Sequence, residues 1–436
     1  MTGGSTTRLP GAYWRLWSAA GVSNLGDGIF AVALPLLAAQ TTDSPLSIGL
    51  IAAFFTIPWL LFALPAGVII DRSDRRRVLV IADLCRGLLV GGLALVAAFG
   101  DVQMWMLWVL GFGLGLGEVF FDNSSQAILP AVVAADDLER ANGYFYATEV
   151  ATSTFIGMPI GSALFGFLVW LPFGLDAASF VVAALLATTL RGSFRTAPHS
   201  LDQQDGGTSM RREMADGLRW LFHNRLVRKL ALSGAAMNLA FAATQATFVL
   251  FATKELGISD RLFGPLLAIV GAGSLLAGLV GGRLVGWIGR RPAMLIASSA
   301  PVLTSLATGL LPVTWWVVAM TTVQALMTTI WSIVAVSLRQ QVVPDHLFGR
   351  VNSVYRWVCM GAMPVGALLG ALSADRFGLR APYFVAAAVL LLALLFTSRI
   401  STALIDDATA KAVEAPLPVL DETPVSLDRD PFDDLL

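Results

Sequence analysis

Charged residues are scarce in this chain. Of its 436 residues, 14% are charged and 56% are hydrophobic, and the mean hydropathy is +0.72. A soluble globular domain carries about 25% charged residues. The chain therefore has too little polar surface for a water-soluble fold, and its long apolar runs predict transmembrane helices.

Cysteine and histidine are also rare. Cys85 and Cys359 are the two cysteines, and their positions in separate apolar runs indicate neither a disulfide framework nor a metal site. The three histidines lie in predicted loops, and no Gly-x-x-x-x-Gly-Lys-Ser/Thr phosphate-binding loop is present, which disfavours an ATP-driven pump. We therefore expect no enzyme activity, no metal or other cofactor and no nucleic-acid partner.

The apolar runs predict an all-α integral membrane fold with twelve transmembrane helices. Most of these runs are long enough to cross a hydrocarbon core of about 30 Å. The first run is too long for a signal peptide, so we expect it to be retained. The predicted spans, numbered 1 to 12, are 14–40, 46–70, 78–99, 103–131, 138–169, 172–190, 226–252, 262–287, 293–311, 314–341, 347–373 and 381–399.

Five regions follow from these runs. A short N-terminus (1–13) precedes an N-terminal six-helix bundle (14–190), and a linker (191–225) leads to a C-terminal six-helix bundle (226–400) and a tail (401–436). The second part of the linker has the pattern of an amphipathic helix lying on the membrane surface, or of an extension of span 7. The tail is acidic and poor in apolar residues, so we expect it to be disordered.

Lysine and arginine are distributed unequally between the two sets of loops. The set with more positive charge faces the cytoplasm in membrane proteins, which places both termini inside a bacterial-type cell membrane. The poorer set holds only Lys254, Arg261, Arg376 and Arg380. The richer set holds Arg72, Arg75, Arg76, Arg77, Arg140, Arg211, Arg212, Arg219, Arg225, Arg228, Lys229, Arg290, Arg291, Arg339 and Arg350.

The two six-span halves share short sequence patterns. "QAILP" and "ERANGYFY", on either side of the start of span 5, correspond to "QQVVP" and "GRVNSVY", on either side of the start of span 11, and "GMPIG" corresponds to "GAMPVG". The turn after span 2, Gly67-x-x-x-Asp71-x-x-x-Arg75-Arg76, aligns with Gly282-x-x-x-Gly286-x-x-x-Arg290-Arg291. Duplicated halves predict a substrate site at their interface near the bilayer midplane.

These motifs resemble the major facilitator superfamily over about 14–400. The turn Gly67-Val-Ile-Ile-Asp71-Arg72-Ser73-Asp74-Arg75-Arg76 is similar to the superfamily's Gly-x-x-x-Asp-Arg-x-Gly-Arg-Arg/Lys signature, with Asp74 in place of a glycine. "SNLGDGIFAVALPLL" and "DRSDRRRVLVIADLCRGLL" resemble the branch that contains macrolide-efflux proteins and the enterobactin exporter.

The resemblance implies that the charged turn lies at the cytoplasmic mouth and latches the outward-open state. Asp83 and Arg86 lie at a shallow depth in span 3, from which either can pair with the turn. The alternative is that these charges only set topology and cap helices. The predicted gating residues are Gly67, Asp71, Arg72, Arg75, Arg76, Asp83, Arg86, Gly282, Arg290 and Arg291.

Acidic residues within spans are costly and are candidates for function. Asp27 in span 1 and Glu118 in span 4 each lie about 18 Å from the cytoplasmic end of the span. If both spans line the central cavity, as the resemblance implies, these carboxyl groups are suited to carry protons. Asp122, one turn from Glu118, is a candidate relay. The alternative for Asp27 is a structural hydrogen bond to a helix backbone.

The remaining candidates bind substrate, join the halves or bend helices. Glu149 and Arg356 are predicted to form an ion pair between the halves, with substrate binding as the alternative. Pro159 and Pro364 resemble the Gly-Pro motif of the superfamily's antiporters and predict kinks, although ordinary membrane-helix kinks explain them equally well. The predicted substrate-cavity residues are Asn24, Asn238, Phe241, Gln245, Gln324 and Trp331.

Together these features predict a secondary transporter that works by alternating access. The favoured function is proton-coupled efflux of small amphipathic compounds, such as macrolide-like drugs, by a monomer in the lipid bilayer. One alternative is an exporter of an endogenous metabolite or siderophore. Another is a membrane sensor or scaffold without transport activity.

Overall fold

The computed structural model describes residues 9–133, 137–190 and 210–414, and the regular structure in these ranges is helical. The N-terminal half contains α1 (Gly11–Thr41), α2 (Pro45–Arg72), α3 (Arg75–Phe99), α4 (Met104–Val132), α5 (Leu138–Glu149), a first π-helix (Val150–Gly157), α6 (Met158–Phe165) and α7 (Leu171–Thr188). The linker contributes α8 (Met210–His223).

The C-terminal half repeats this order. It contains α9 (Arg225–Gln245), α10 (Phe248–Leu250), a second π-helix (Phe251–Glu255), α11 (Asp260–Ile288), α12 (Arg290–Leu310), α13 (Thr314–Val342), α14 (Asp345–Phe377) and α15 (Ala381–Ser398), and α16 (Thr402–Glu414) follows it.

The prediction of an all-α fold with twelve spans is confirmed. Eleven of the described helices are long and apolar enough to cross a membrane. Span 5 is the remaining one, because the first π-helix divides it into α5 and α6. A π-helix widens the turn and shifts the helical register, so it often marks a functional position within a span.

Short turns join the long helices, and their residues match the local backbone. Ser44 begins α2 and accepts a hydrogen bond from the Ser47 amide, and Asn224 begins α9 by accepting from two amides. Gly289 and Gly378, which end α11 and α14, have φ values of 86° and 89°. Residues with a side chain disfavour this region, so glycine is the residue that fits these turns.

The linker helix and the tail helix lie at the same end of the molecule, which we call the α8 end. α8 packs on α14, where the backbone of Gly217 lies against that of Arg350. Leu221 is buried there, while Leu218 and Phe222 are exposed. The predicted amphipathic helix is therefore present over Met210–His223, and 191–209 lie outside the described residues.

The structure corrects the prediction for the first part of the tail. Residues Thr402–Glu414 form α16, whose Leu404, Ile405 and Ala408 pack into the core of the C-terminal half. Three apolar residues at helical spacing supply the buried face that the overall acidic composition concealed. Residues 415–436 lie outside the described part of the chain.

The two halves are joined most closely at the end opposite to α8, which we call the far end. A single hydrophobic cluster there combines residues of both halves, including Phe30 and Leu34 of α1 and Phe248, Phe251 and Phe263 of the C-terminal half. At the α8 end each half has a cluster of its own.

Polar contacts reinforce the far end. Lys254 forms an ion pair with Asp43, Gln40 donates to Asp260 at 3.0 Å, and Ser162 donates to the Asp260 carbonyl at 2.6 Å. Each contact joins a residue of the N-terminal half to one of the C-terminal half, so opening this end requires all of them to break.

Glycine allows the helices of the two halves to approach closely. A Cβ atom on Gly264 of α11 would lie 2.1 Å from the carbonyl oxygen of Met158 in α6, and one on Gly49 of α2 would lie 2.3 Å from the Cβ of Ala371 in α14. Both distances are far shorter than van der Waals contact, so the seams depend on the missing side chains.

We predict that Gly264→Ala lowers the thermal unfolding midpoint of the purified protein in detergent. The added methyl group meets backbone atoms that cannot turn away, and such overpacking costs about 1–3 kcal/mol. Gly282→Ala in the same helix is the matched control, because no atom lies within 4 Å of its added methyl group. Equal midpoints for the two variants would show that the α6–α11 seam is not close-packed.

Candidate functional site

A cavity of about 440 Å³ lies at mid-depth between the two halves. Most of its lining comes from the N-terminal half, with residues of α1 to α7 and of the first π-helix. The C-terminal half contributes Gln245, Ala246 and Val249, at the break between α9 and α10. The lining is mostly apolar, with Phe30, Phe55 and other hydrophobic residues, so the cavity suits a ligand with a large apolar surface.

Five ionisable residues face this apolar space. Asp27 comes from α1, Arg86 from α3, Glu118 from α4, Glu149 from the end of α5 and Asp176 from α7. Four are acidic and one is basic, so the lining carries an excess of carboxyl groups. Such groups at membrane depth are stable only when they are paired, protonated or hydrated.

Arg86 is buried, with 3% of its surface exposed. It forms an ion pair with Asp83, which lies one turn away in α3 and has no exposed surface. The guanidinium also lies 4.3 Å from the ring centre of Phe121 and 4.5 Å from that of Phe180. These rings hold the guanidinium at the cavity wall by cation–π contact.

This position corrects the prediction that Asp83 and Arg86 pair with the charged turn. Both lie inside the N-terminal bundle, and Arg86 lines the cavity. The positive charge of Arg86 interacts with Asp27, Asp83 and Glu118. The predicted depth was too shallow, because α3 already begins at Arg75. Asp83 and Arg86 therefore lie in its third and fourth turns, among neighbouring helices.

Asp27 and Glu118 lie on the cavity, as the sequence predicts. Asp27 is at the middle of the 31-residue α1 and Glu118 is at the middle of the 29-residue α4. Each is partly buried. α1 can pass close to span 5 here because Gly28 has no side chain: a Cβ atom on it would lie 2.2 Å from the carbonyl oxygen of Ser153 in the first π-helix.

The ion pair between the halves has a different acid from the predicted one. Arg356 of α14 donates to Asp122 of α4 at 3.1 Å, with about a third of each side chain exposed. The sequence prediction gave Glu149 this place, whereas Glu149 lines the cavity. Asp122, predicted as a proton relay, is therefore a contact between the halves. Trp357 donates to the Leu60 carbonyl of α2 at 2.9 Å beside it.

The charged turn and its counterpart in the second half make equivalent contacts. Arg76 donates to the carbonyl of Leu190, just after α7, at 2.7 Å, and Arg291 donates to the carbonyl of Ile400, just after α15, at 3.2 Å. Each arginine therefore ties the third helix of its half to the last one. Arg290 donates to Gln341 at 2.9 Å.

Asp74, which replaces a glycine of the superfamily signature, begins α3 by accepting a hydrogen bond from the Arg76 amide at 3.0 Å. Aspartate is a favoured residue at this position. Gly282 lies in open surroundings. Gly67 and the side chains of Asp71 and Arg72 lie outside the described part of the chain, and the latch role of this turn stays a prediction.

Two of the six predicted substrate-cavity residues, Asn24 and Gln245, line the cavity. Asn238 donates instead to the Cys359 carbonyl within the C-terminal half, and Trp331 is buried in the core of that half. Phe241 and Gln324 do not belong to the lining either. These residues were predicted from polar and aromatic side chains within the spans. Such side chains do not indicate which face of the helix meets the cavity.

The glycine of each Met-Pro-x-Gly motif lies where two helices meet. A Cβ atom on Gly161 would lie 2.4 Å from the Ile29 carbonyl oxygen of α1, and one on Gly366 would lie 2.2 Å from the Leu239 carbonyl oxygen of α9. Pro159 starts α6 directly after the first π-helix, whereas Pro364 lies within the continuous α14. The two halves thus share a close helix crossing inside each half, rather than one type of bend.

Comparisons with known proteins agree with this architecture. The profile of the transmembrane secretion effector family matches residues 10–431. The chain belongs to this family. It is a branch of the major facilitator superfamily, so the chain is a multi-pass membrane transporter and not an enzyme.

Several relatives of this chain are efflux proteins by name. Macrolide efflux protein A of Streptococcus pyogenes is 25% identical over 378 residues, which cover 84% of this chain and 90% of that protein. The multidrug efflux pump Tap of Mycolicibacterium fortuitum is 26% identical over 377 residues, with the same shares covered. A crystal structure of a mutant nucleoside transporter NupG has the same fold, with a TM-score of 0.75 at 13% identity, and covers 89% of this chain and 100% of that one.

Asp176 is an acidic cavity residue that we did not predict from the sequence. It is an acid inside predicted span 6, so the rule that singled out Asp27 and Glu118 also applies to it. In the structure it is 1% exposed and faces the cavity.

We predict that Arg86→Met lowers the stability of the transporter, and that the loss is larger in alkaline than in acidic buffer. Removing one partner of a buried ion pair costs about 3–5 kcal/mol, and a proton on Asp83 can offset part of that loss at low pH. The measurement is the thermal unfolding midpoint in detergent over a range of pH.

The double variant Asp83→Asn/Arg86→Met removes both charges and should recover most of the midpoint. Lys254→Met breaks the exposed ion pair with Asp43 and serves as the control, for which the expected loss is below about 1 kcal/mol. A loss that is independent of pH, or that the double variant does not reduce, would show that this ion pair does not stabilise the bundle.

Proposed function

We propose that this transporter exports small amphipathic compounds in exchange for protons. The observation that carries the proposal is the placement of Asp27 and Glu118 on an apolar cavity at mid-depth between the halves. Ionising an acid in such a place costs much free energy, whereas the neutral acid costs little. Binding or release of a proton therefore changes the free energy of the cavity, which is what coupling requires.

The distribution of positive charge supports an orientation with the α8 end in the cytoplasm. The charged turn after α2, the start of α3 and the linker helix lie at this end and are rich in arginine. Under the positive-inside rule both termini then face the cytoplasm of a bacterial cell. The far end, with Lys254 and Asp43, faces outward.

Transport in this proposal occurs by rocking of the two halves about the cavity. The hydrophobic cluster shared by both halves closes the far end, so export in this proposal requires the cluster to separate. The Asp122–Arg356 ion pair and the Trp357–Leu60 hydrogen bond cross the interface on the cytoplasmic side of the cavity. These contacts are partly exposed, so breaking them is cheap enough for a reversible gate.

The cavity lining supports an amphipathic substrate. Its aromatic and aliphatic walls suit an apolar body, Asn24 and Gln245 offer hydrogen bonds, and the excess of carboxyl groups favours a basic group. The relatives named for macrolide efflux and multidrug efflux support the same class. A macrolide with an amino sugar combines all three features, and erythromycin is therefore the probe of choice.

Reconstituted vesicles test the proposal. Wild-type protein should move erythromycin when a pH gradient is imposed and should stop when an uncoupler dissipates the gradient, because inward proton movement drives export. Asp27→Asn and Glu118→Gln should reduce movement to the level of empty vesicles, since neither side chain exchanges a proton.

Asp101→Asn, which changes an exposed acid in the α3–α4 turn, is the matched control and should behave as wild type. Erythromycin movement that ignores the gradient would contradict proton coupling but not efflux. Movement no faster than in empty vesicles for the wild type would contradict the efflux of this class of compound.

A further inference from the structure

Asp176 is held in an unusual environment for a carboxyl group. It lies near the start of α7, is 1% exposed and lines the cavity. Ser179 lies 3.4 Å from Oδ1, and Oδ2 is buried without a hydrogen-bond partner among the described residues. Nearly every buried polar atom in a protein has a partner, so an orphaned carboxyl oxygen indicates a group with a task.

The charges around Asp176 do not balance if every acid is ionised. α1 presents Asp27, α3 presents Asp83 and Arg86, and Glu118 of α4 lines the same cavity, while α6 contains no titratable side chain. Arg86 is the positive group among them and is already bound to Asp83. An isolated buried carboxylate is costly enough that such a group takes up a proton instead.

Arg86 also has a donor to spare. Its Nε is buried without an acceptor among the described residues, although the guanidinium interacts with Asp27, Asp83 and Glu118. This unused donor can serve a further carboxylate of the cavity. The acid that receives it gains a counter-ion and can release its proton.

The contact between α1 and α7 links Asp176 to Asp27. A Cβ atom on Gly26 would lie 2.4 Å from Oδ1 of Asp176 and 2.0 Å from Oγ of Ser179. The backbone next to Asp27 therefore touches the side chain of Asp176. Because the two helices are in contact at this point, a tilt of α1 changes the surroundings of both acids together.

We infer that Asp176 is a third proton-binding group of the transport cycle, which shares Arg86 as counter-ion with Asp27 and Glu118. This inference rests on the proposed proton-coupled function and extends it to a residue on α7. Asp176 holds a proton in the described state. When the two halves move apart around the cavity, water reaches the carboxyl group, Arg86 compensates the charge that forms, and the proton passes to that water.

The test is the pH dependence of erythromycin binding to the detergent-purified protein. Each proton exchanged on binding changes the apparent Kd by about tenfold per pH unit. Asp176→Asn should reduce this slope by the equivalent of one proton. At acidic pH the variant should bind erythromycin as tightly as wild type does, because asparagine has the shape of the protonated acid. Its thermal unfolding midpoint should equal or exceed that of wild type.

Ser179→Ala is the matched control, since it changes the neighbour of Asp176 and keeps the acid, and it should retain the wild-type slope. Asp176→Glu should keep the slope and shift its midpoint along the pH axis. A wild-type slope in Asp176→Asn, or failure of that variant to fold while Asp176→Glu folds, would overturn the inference. A wild type without any slope would instead contradict the proposed proton coupling itself.

Discussion

The buried guanidinium of Arg86 is the positive charge that four carboxyl groups share inside the N-terminal half of this transporter. Arg86 is bound to Asp83 and lies between the rings of Phe121 and Phe180. Asp27, Glu118 and Asp176 share its field on the cavity wall. In a space with little water one positive charge compensates one carboxylate, so the remaining acids must be neutralised by protons or by a basic ligand. This imbalance is the physical basis of the proposed exchange.

The scaffold around this site repeats the same devices in both halves. Arg76 and Arg291 tie the third span of each half to the end of its last span. Gly161 and Gly366 let span 5 meet α1 and α14 meet α9 at backbone distance. Between the halves, Gly264 and Gly49 allow equally close approach to α6 and α14, so the two bundles meet along smooth seams. In the proposed rocking, the far-end cluster and the Asp122–Arg356 pair are the contacts that break and re-form.

Much of the fold could be predicted from the sequence, because apolar runs and duplicated motifs depend on local pattern alone. Asp27 and Glu118 were placed on the cavity since any acid at the middle of a span must avoid lipid. The errors concern side-chain direction and partner choice. Trp331 lies in the core of its half, Arg356 pairs with Asp122, and Arg86 lies inside the bundle. Each of these positions depends on how a helix is rotated about its axis, which the local sequence does not determine. Within the tail, α16 is helical because three apolar residues find a groove on the folded bundle.

The central claim is that protonation of the cavity acids sets which end of the molecule is open. Spin labels placed in a cysteine-free chain at Gly143 and Gly349, whose surroundings are open, report the α8 end, and labels at Asp101 and Leu311 report the far end. When the pH falls by about two units, enough to protonate most of a group titrating in between, the two distances should change in opposite directions, and Asp27→Asn/Glu118→Gln should abolish the response. Distances that stay constant, or that change together, would contradict the account.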